Sequence, residues 1–391
     1  MNRSFWIIAL ISFVNSLSLT IIIPTIYVYG KQFGLSDFQT SLLFSIYSIA
    51  QFFATPIIGK LSDRFGRKPL LVISLAGTVA ASFMAGTANT ATILFLARFL
   101  DGITGGNNSV AQAVISDVTN RENRAKGFGI FGASFGLGLI LGPAISLLVQ
   151  HISLGASFLA SGVIALGALL ITIFFLPETI KTRTGTHNIF DLGLGNLIKG
   201  IIIPRVGILL IINFFIGTTF TIFTYAFQPY FINVLHQDNK SLTLLFIVFG
   251  GLGFVMQIWG LQILNRKLDL NFILFLALFI RSVSFILMPI WPTVSYFFGV
   301  SILFSIFNSL VQPALTTLIS LNAKAEEQGT VMGINSSYLS ISNAFGPVIA
   351  GMLIHQSNPN TYGHPLYLAG GLTFLVLLLA VFTRRRYVIR A

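Results

Sequence analysis

Apolar residues along this chain come in blocks of about twenty, the length of helix that crosses the hydrocarbon core of a bilayer. Polar and charged residues gather in the short gaps between the blocks. Read block by block, the pattern predicts twelve spans, near 5–29, 39–59, 70–88, 92–116, 126–149, 155–176, 206–233, 242–264, 271–290, 293–320, 329–354 and 364–383. The links are short except 177–205, PETIKTRTGTHNIFDLGLGNLIKGIIIPR, which is polar enough for a cytoplasmic linker. The expected organisation is an N-terminal six-helix half over 1–176, the linker 177–205, and a C-terminal six-helix half over 206–391 ending in a basic tail.

Composition turns this pattern into a class. Hydrophobic residues make up 54% of the chain, charged residues 9%, and the mean hydropathy is +0.86. A soluble domain carries about a quarter charged residues, so this is an all-α integral membrane protein in contact with the lipid bilayer. The net charge of +12 does not point to nucleic acid, because the basic residues do not collect on one face of a soluble domain. They lie between the apolar blocks, where they orient helices. Of the 23 Lys and Arg, one alternating set of loops holds only Lys31 and Lys240, and two, Arg98 and Arg281, fall inside spans. All the others fall in the opposite set, which predicts cytoplasmic N- and C-termini. The chain has no cysteine, hence no disulfide and no thiolate metal site, and its five histidines lack ligand spacing. The start, MNRSFWIIALISF, runs into an apolar block without a small-residue cleavage site and reads as the first membrane helix. No metal and no cofactor are expected.

The two halves repeat. NSVAQA (Asn108 to Ala113) in the fourth block is matched by NSLVQP (Asn308 to Pro313) in the tenth. Gly129 precedes Gly142-Pro143 by the same interval as Gly333 precedes Gly346-Pro347. Duplicated halves in parallel orientation are one of the arrangements that hold a substrate near the bilayer midplane at the repeat interface.

Three motifs carry more. The link after the second block reads GKLSDRFGRKP. Gly59 permits close approach at a helix end, Gly66 permits a tight turn, and Asp63 sits among Arg64, Arg67 and Lys68. Asp117, at the end of the fourth block, is a candidate partner for one of these arginines. A plain topogenic cluster is the simpler reading, and both can hold. The fifth block, GIFGASFGLGLILGPAISLL, carries Gly132, Gly136, Gly138 and Gly142, a stripe that lets helices pack backbone to backbone. Pro143 removes one helical hydrogen bond there. The fourth block holds RFLDG, with Arg98 followed by Gly102.

Together these strings resemble the major facilitator superfamily, and within it the twelve-helix drug:proton antiporters related to tetracycline and Bmr/NorA exporters. The likeness is recognisable from about Ile11 to Glu178 and is one of architecture alone beyond. It implies the major facilitator fold, alternating access, a conformational latch formed by Gly59, Asp63, Arg64, Gly66, Arg67, Lys68 and Asp117, and an antiporter motif at Gly132, Gly136, Gly138, Gly142 and Pro143. It also implies proton-gradient energy, a small-molecule substrate, a monomer, and a bacterial cytoplasmic membrane. The chain departs from such exporters in the first block, where an aspartate is common and Asn15 stands here.

Asparagine carries no proton, so coupling must use another group. Of the eleven acids only Asp101 lies inside an apolar block. A charge at a helix centre costs about 2.5–3.5 kcal/mol on insertion scales and usually faces a cavity or a partner. Arg98 stands three residues earlier, on the same helix face. Pairing favours the carboxylate and desolvation favours the neutral acid, so Asp101 is the candidate coupling group with Arg98 its partner. The alternative is a permanent pair that fixes packing. Arg281 has no acid on its own helix: it either meets a substrate anion, carbonyl or water, or lines a cavity electrostatically.

Cavity-lining candidates, taken from the helices that line the family's central cavity, are Asn15, Asn108, Gln112, Asn213, Tyr225, Gln228, Asn308 and Gln312. Gln51, Gln257, Asn335 and Tyr338 join them, as does Arg281. So few polar groups in an apolar interior suit an amphiphilic or lipophilic substrate. The expected function is proton-coupled efflux of such molecules. The alternatives are a metabolite or sugar uniporter or symporter, and a lipid-translocating member of the fold. An enzyme is excluded by the short links and by the absence of a phosphate-loop spacing.

Overall fold

The computed structural model describes residues 3–119, 121–180, 194–323 and 328–387. Residues 181–193, most of the expected linker, lie outside the described residues. Every described element is helical, and nine helices among the described residues are long and apolar enough to cross a membrane.

Where the sequence expects one unbroken first span, the chain forms α1 (Arg3–Ile21) and α2 (Ile26–Gln32), separated at Pro24, which has no N–H to continue the ladder. α3 (Asp37–Phe65) and α4 (Arg67–Gly86) follow, joined only by Gly66. The expected fourth span is also split, into α5 (Ala91–Thr104) and α6 (Asn107–Val118), at Gly105-Gly106. α7 (Arg121–Val149) and α8 (Ala156–Phe175) complete the first half of the sequence. α9 (Leu194–Ile202) is a short helix ahead of α10 (Val206–Asn233). α11 (Asn239–Val255) widens into a π-helical turn at Met256–Gly260 before α12 (Leu261–Asn265). α13 (Leu270–Leu287), α14 (Val294–Asn322), α15 (Gln328–Met352) and α16 (His364–Tyr387) end the chain, with a 3₁₀ turn at Pro359–Gly363.

The chain divides into two compact units. The first comprises Met1–Leu35, Ile46–Leu192 and Asn239–Gly250, and the second Ser36–Ser45, Gly193–Asp238 and Gly251–Ala391. Each unit thus takes the opening turns of one helix, α11 or α3, from the other half of the sequence.

In the first unit α1 packs against α7 and α8, and α4 against α8 and α5. Phe5, Ile8, Leu75, Val110 and Val114 are fully enclosed there. In the second unit α10 packs against α15 and α16, and α13 against α14 and α16, over Leu209, Leu210, Leu274, Ala277 and Leu315. Stacked and tilted rings of Phe223, Phe227, Phe285, Phe297 and Phe304 fill the rest of that core.

The sequence repeat reappears as a repeated piece of packing. Thr20 Oγ1 on α1 donates to the Gly138 carbonyl on α7 at 2.7 Å, and a Cβ on Gly142 would strike that same hydroxyl. Thr221 Oγ1 on α10 donates to the Ser342 carbonyl on α15 at 2.9 Å, and a Cβ on Gly346 would strike it likewise. Small residues let the backbones approach, and a hydroxyl bonds across the gap.

Candidate functional site

The break between α5 and α6 organises the polar interior of the first unit. Gly102 and Gly105 have no side chain because α3 passes too close. A Cβ on Gly102 would fall 2.5 Å from the Tyr47 carbonyl oxygen, and one on Gly105 2.9 Å from Gln51 Nε2. Gln51 donates both to the Gly105 carbonyl at 3.0 Å and to the Tyr47 hydroxyl at 2.9 Å. Irregular backbone at membrane depth needs such partners in place of water.

One turn earlier on α5, Arg98 Nη1 donates to Asp101 Oδ2 at 3.1 Å. Arg98 is 6% exposed and Asp101 7%. The guanidinium carbon of Arg98 lies 4.4 Å from the centre of the Tyr47 ring, and Thr78 on α4 donates its hydroxyl to Asp101. Immediately beyond the break, Asn107 Nδ2 donates to Asn15 Oδ1 at 2.8 Å, and Asn15 Nδ2 to Asn108 Oδ1 at 3.2 Å. Asn15 therefore ties α1 to the start of α6 as a purely hydrogen-bonding group. Gln112 lies half-buried about one turn further along α6 than Asn15's partners.

A second cluster forms at the corner between α3 and α4. Gly66 has φ +116°, a backbone conformation open to glycine. Arg67 reaches Asp63 Oδ1 at 2.6 Å and Ser62 Oγ at 2.7 Å with Nη1, and Asp117 Oδ2 at 3.1 Å with Nε. Arg67 is thus the arginine that meets Asp117. Arg64 instead lies over the Phe65 ring at 5.3 Å, and Lys68 joins through its backbone N–H.

The residue that sequence reasoning missed here is Glu178. Its Oε1 accepts the backbone N–H groups of Arg67, Thr179 and Ile180 at 3.0, 2.9 and 3.1 Å, and its Oε2 that of Lys68 at 3.2 Å. It caps the start of α4 from the far end of the half, and Thr179 Oγ1 adds a bond to Asp117 Oδ2 at 3.2 Å. Burial pushes the Glu178 carboxyl up, but the four backbone N–H groups outweigh it and hold the group below the usual glutamate value. The available signal was the string PET closing an apolar block; its partner could not be read from it.

Two glycines do not act as the sequence suggests. A Cβ on Gly59 or on Gly132 would meet nothing within 4 Å among the described residues, which therefore show no close approach at either glycine. Gly136 is buried, and Gly138 and Gly142 pack on Ser16 and Thr20. Pro143 lies inside α7, which continues through it.

The second unit gathers some of the expected cavity residues and separates others. Asn213 Nδ2 donates to Asn335 Oδ1 at 2.5 Å, joining α10 to α15, and both residues are buried. Arg281 is 1% exposed and donates with Nη2 to the Ile216 carbonyl at 2.8 Å and to Thr219 Oγ1 at 2.7 Å. Its guanidinium carbon lies 5.3 Å from the Phe285 ring centre, so it is enclosed by α10 and α13 rather than lining an open cavity. Tyr338 donates to the Leu197 carbonyl on α9 at 2.9 Å. Tyr225 donates to the backbone oxygen of Asp37, whose carboxylate accepts the Tyr362 hydroxyl at 3.0 Å. Gln228 is buried beside Tyr225 and donates to Thr224. Asn308 and Gln312 are half-buried on α14, and Gln257 is exposed in the π-helical turn.

No group of His, Cys, Asp or Glu among the described residues could hold a metal ion. The sequence matches the family model described as Major Facilitator Superfamily over residues 8–347 and 209–390. It is 28% identical over 371 residues to tetracycline resistance protein, class B, of Escherichia coli, covering 92% of this chain and 90% of that protein. It is 26% identical over 383 residues to quinolone resistance protein NorA of Staphylococcus aureus, covering 96% and 97%. The fold is similar to that of a POT family transporter in complex with 5-aminolevulinic acid, with TM-score 0.78, 13% identity and coverage of 100% and 97%. A bacterial homolog of the human lysosomal transporter Spinster, inward-facing and unoccupied, gives 0.77, 15%, 98% and 97%.

Proposed function

The chain belongs to the Major Facilitator Superfamily, and from that premise we propose a proton-coupled exporter of amphiphilic or lipophilic molecules in a bacterial cytoplasmic membrane. It is a transporter, not an enzyme. The near-complete overlap with proteins named for tetracycline and quinolone resistance supports efflux, with polycyclic drug-like compounds as the first substrates to try. The reading includes twelve spans in two halves, 1–176 and 206–391, both termini cytoplasmic, one chain acting alone, and no cofactor beyond the proton gradient.

The observation that carries the coupling is the buried Arg98–Asp101 pair. An acid held between a fixed cation and an apolar wall can exist in two states. Ionised, it is matched by Arg98; protonated, it is cheap to enclose when the site is dry. Asn15 cannot share this task, which leaves it to Asp101. The corner built by Asp63, Arg67, Asp117 and Glu178 serves as the latch, and the sparse half-buried amides, Asn108 and Gln112 in the first unit and Asn308 and Gln312 in the second, suit amphiphilic or lipophilic substrates.

Everted vesicles loaded by a pH gradient, with tetracycline and ethidium as probes, test this directly. Asp101→Asn should abolish gradient-driven efflux and leave energy-independent counterflow of the same probe intact. Gradient-driven efflux by Asp101→Asn at the wild-type rate refutes Asp101 as the coupling group.

A further inference from the structure

The Arg98–Asp101 pair has a third neighbour in Tyr47, whose helix is pressed onto α5 more closely than ordinary side chains permit. The two glycines at the contact, Gly102 and Gly105, give way to the Tyr47 backbone and to Gln51. The result is that the Tyr47 ring is laid on the guanidinium of Arg98 at 4.4 Å. Gln51 fixes the other end of the ring by donating to its hydroxyl at 2.9 Å, and is itself anchored on the Gly105 carbonyl. Ring, guanidinium and carboxylate therefore stand in series, with Arg98 between Tyr47 and Asp101. The titratable or charged groups that the structure shows facing Asp101 are Arg98 on α5 and Tyr47 on α3, while Thr78 on α4 contributes a hydroxyl.

A proton arriving on Asp101 removes the counter-charge of Arg98 inside the apolar interior. A buried guanidinium that loses part of its compensation is costly, so each further partner of the cation eases proton binding. The face of an aromatic ring is such a partner, and it gains strength where water is excluded. We propose that Tyr47 is a positioning residue for proton coupling: its ring holds Arg98 while Asp101 is protonated, and Gln51 keeps the ring in place. This rests on Asp101 being the coupling acid.

Because the ring supports the cation most when the carboxylate is neutral, removing the ring disfavours the protonated form. Proton binding then needs a more acidic medium. The test is an infrared titration of the purified full-length protein, following the carboxylic-acid C=O band that Asp101→Asn eliminates; it requires no substrate. Tyr47→Phe keeps the ring and should titrate within about 0.3 pH units of wild type. Tyr47→Leu should shift the midpoint about one pH unit to acid, a roughly tenfold weaker proton affinity. Tyr47→Met is a second ringless variant should leucine fail to fold. Coincident midpoints for wild type and the ringless variants overturn the role of Tyr47. If no titrating band depends on Asp101, the coupling assignment itself falls, and this proposal with it.

Discussion

Replacing Gly66 with alanine adds one methyl group at the corner between α3 and α4, and two separate costs follow. The backbone there has φ +116° and ψ 152°, a region essentially confined to glycine, where another residue costs about 1–3 kcal/mol. The new Cβ would also land on the carboxylate of Glu178, with Oε2 and Cδ the nearest atoms. Glu178 must then leave the N–H groups of Arg67 and Lys68, and losing a helix cap costs about 1 kcal/mol. The sum is about 2–4 kcal/mol. At about 1.2 °C per kcal/mol for a chain of 391 residues, the melting temperature should fall by roughly 2–5 °C.

Gly59→Ala is the control within the same motif. A Cβ there meets nothing within 4 Å, and the residue lies inside α3. Alanine should be neutral or stabilising by about 0.5–1 kcal/mol through helix propensity. Size-exclusion chromatography of heated, detergent-solubilised protein gives the two melting temperatures. The chain has no cysteine, so Ser62→Cys, at a fully buried site bonded to Arg67, provides a sole thiol. It should react with maleimide faster when combined with Gly66→Ala. Equal losses for Gly59→Ala and Gly66→Ala would refute the reasoning, since the structure assigns them opposite signs.

Glu178→Gln tests the cap by charge alone. Because the folded carboxyl is held below its ordinary value of 4.5, its contribution is present above that value and lost as pH falls through the lowered one. Wild type should exceed Glu178→Gln by about 0.5–1 kcal/mol at neutral pH, at the low end because the side chain is largely exposed. The difference should narrow as pH falls below 4.5 in a thermal-shift series, and a constant gap down to the acid limit contradicts the cap. Gly142→Ala and Gly346→Ala should each destabilise by about 1–3 kcal/mol through overpacking against Thr20 and Thr221. Thr20→Ala should relieve Gly142→Ala but not Gly346→Ala in a double-mutant cycle read by melting temperature.

Block length and the scarcity of charge within the blocks carried the helical membrane fold, because both follow from the energetics of a single helix in lipid. They did not reveal where helices break. Pro24 could have been read as the end of α1, and Gly105-Gly106 as the end of α5, had backbone satisfaction been weighed against apolarity. Arg98 and Asp101 were legible because three positions on one helix meet whatever surrounds them. Tyr47 and Glu178 were not, since each acts on a partner more than fifty residues away across a helix contact. Gly59 and Gly132 show the reverse error: a glycine marks freedom, and only the neighbouring helix decides whether that freedom is used. Arg281, legible as anomalous, resolves into a bond to the backbone of α10.

The paired clasps of Thr20 over Gly142 and Thr221 over Gly346 bear on how this chain can change over generations. Each is a three-part fit of hydroxyl, carbonyl and vacant Cβ, so single replacements at either position are penalised unless a companion change occurs. Two copies of one fit, held at matching places in both halves, mean that tolerance to substitution should itself be duplicated along the sequence. A saturation library scored for folded protein would then show twin troughs at these sites, one in each half, even where the surrounding letters differ.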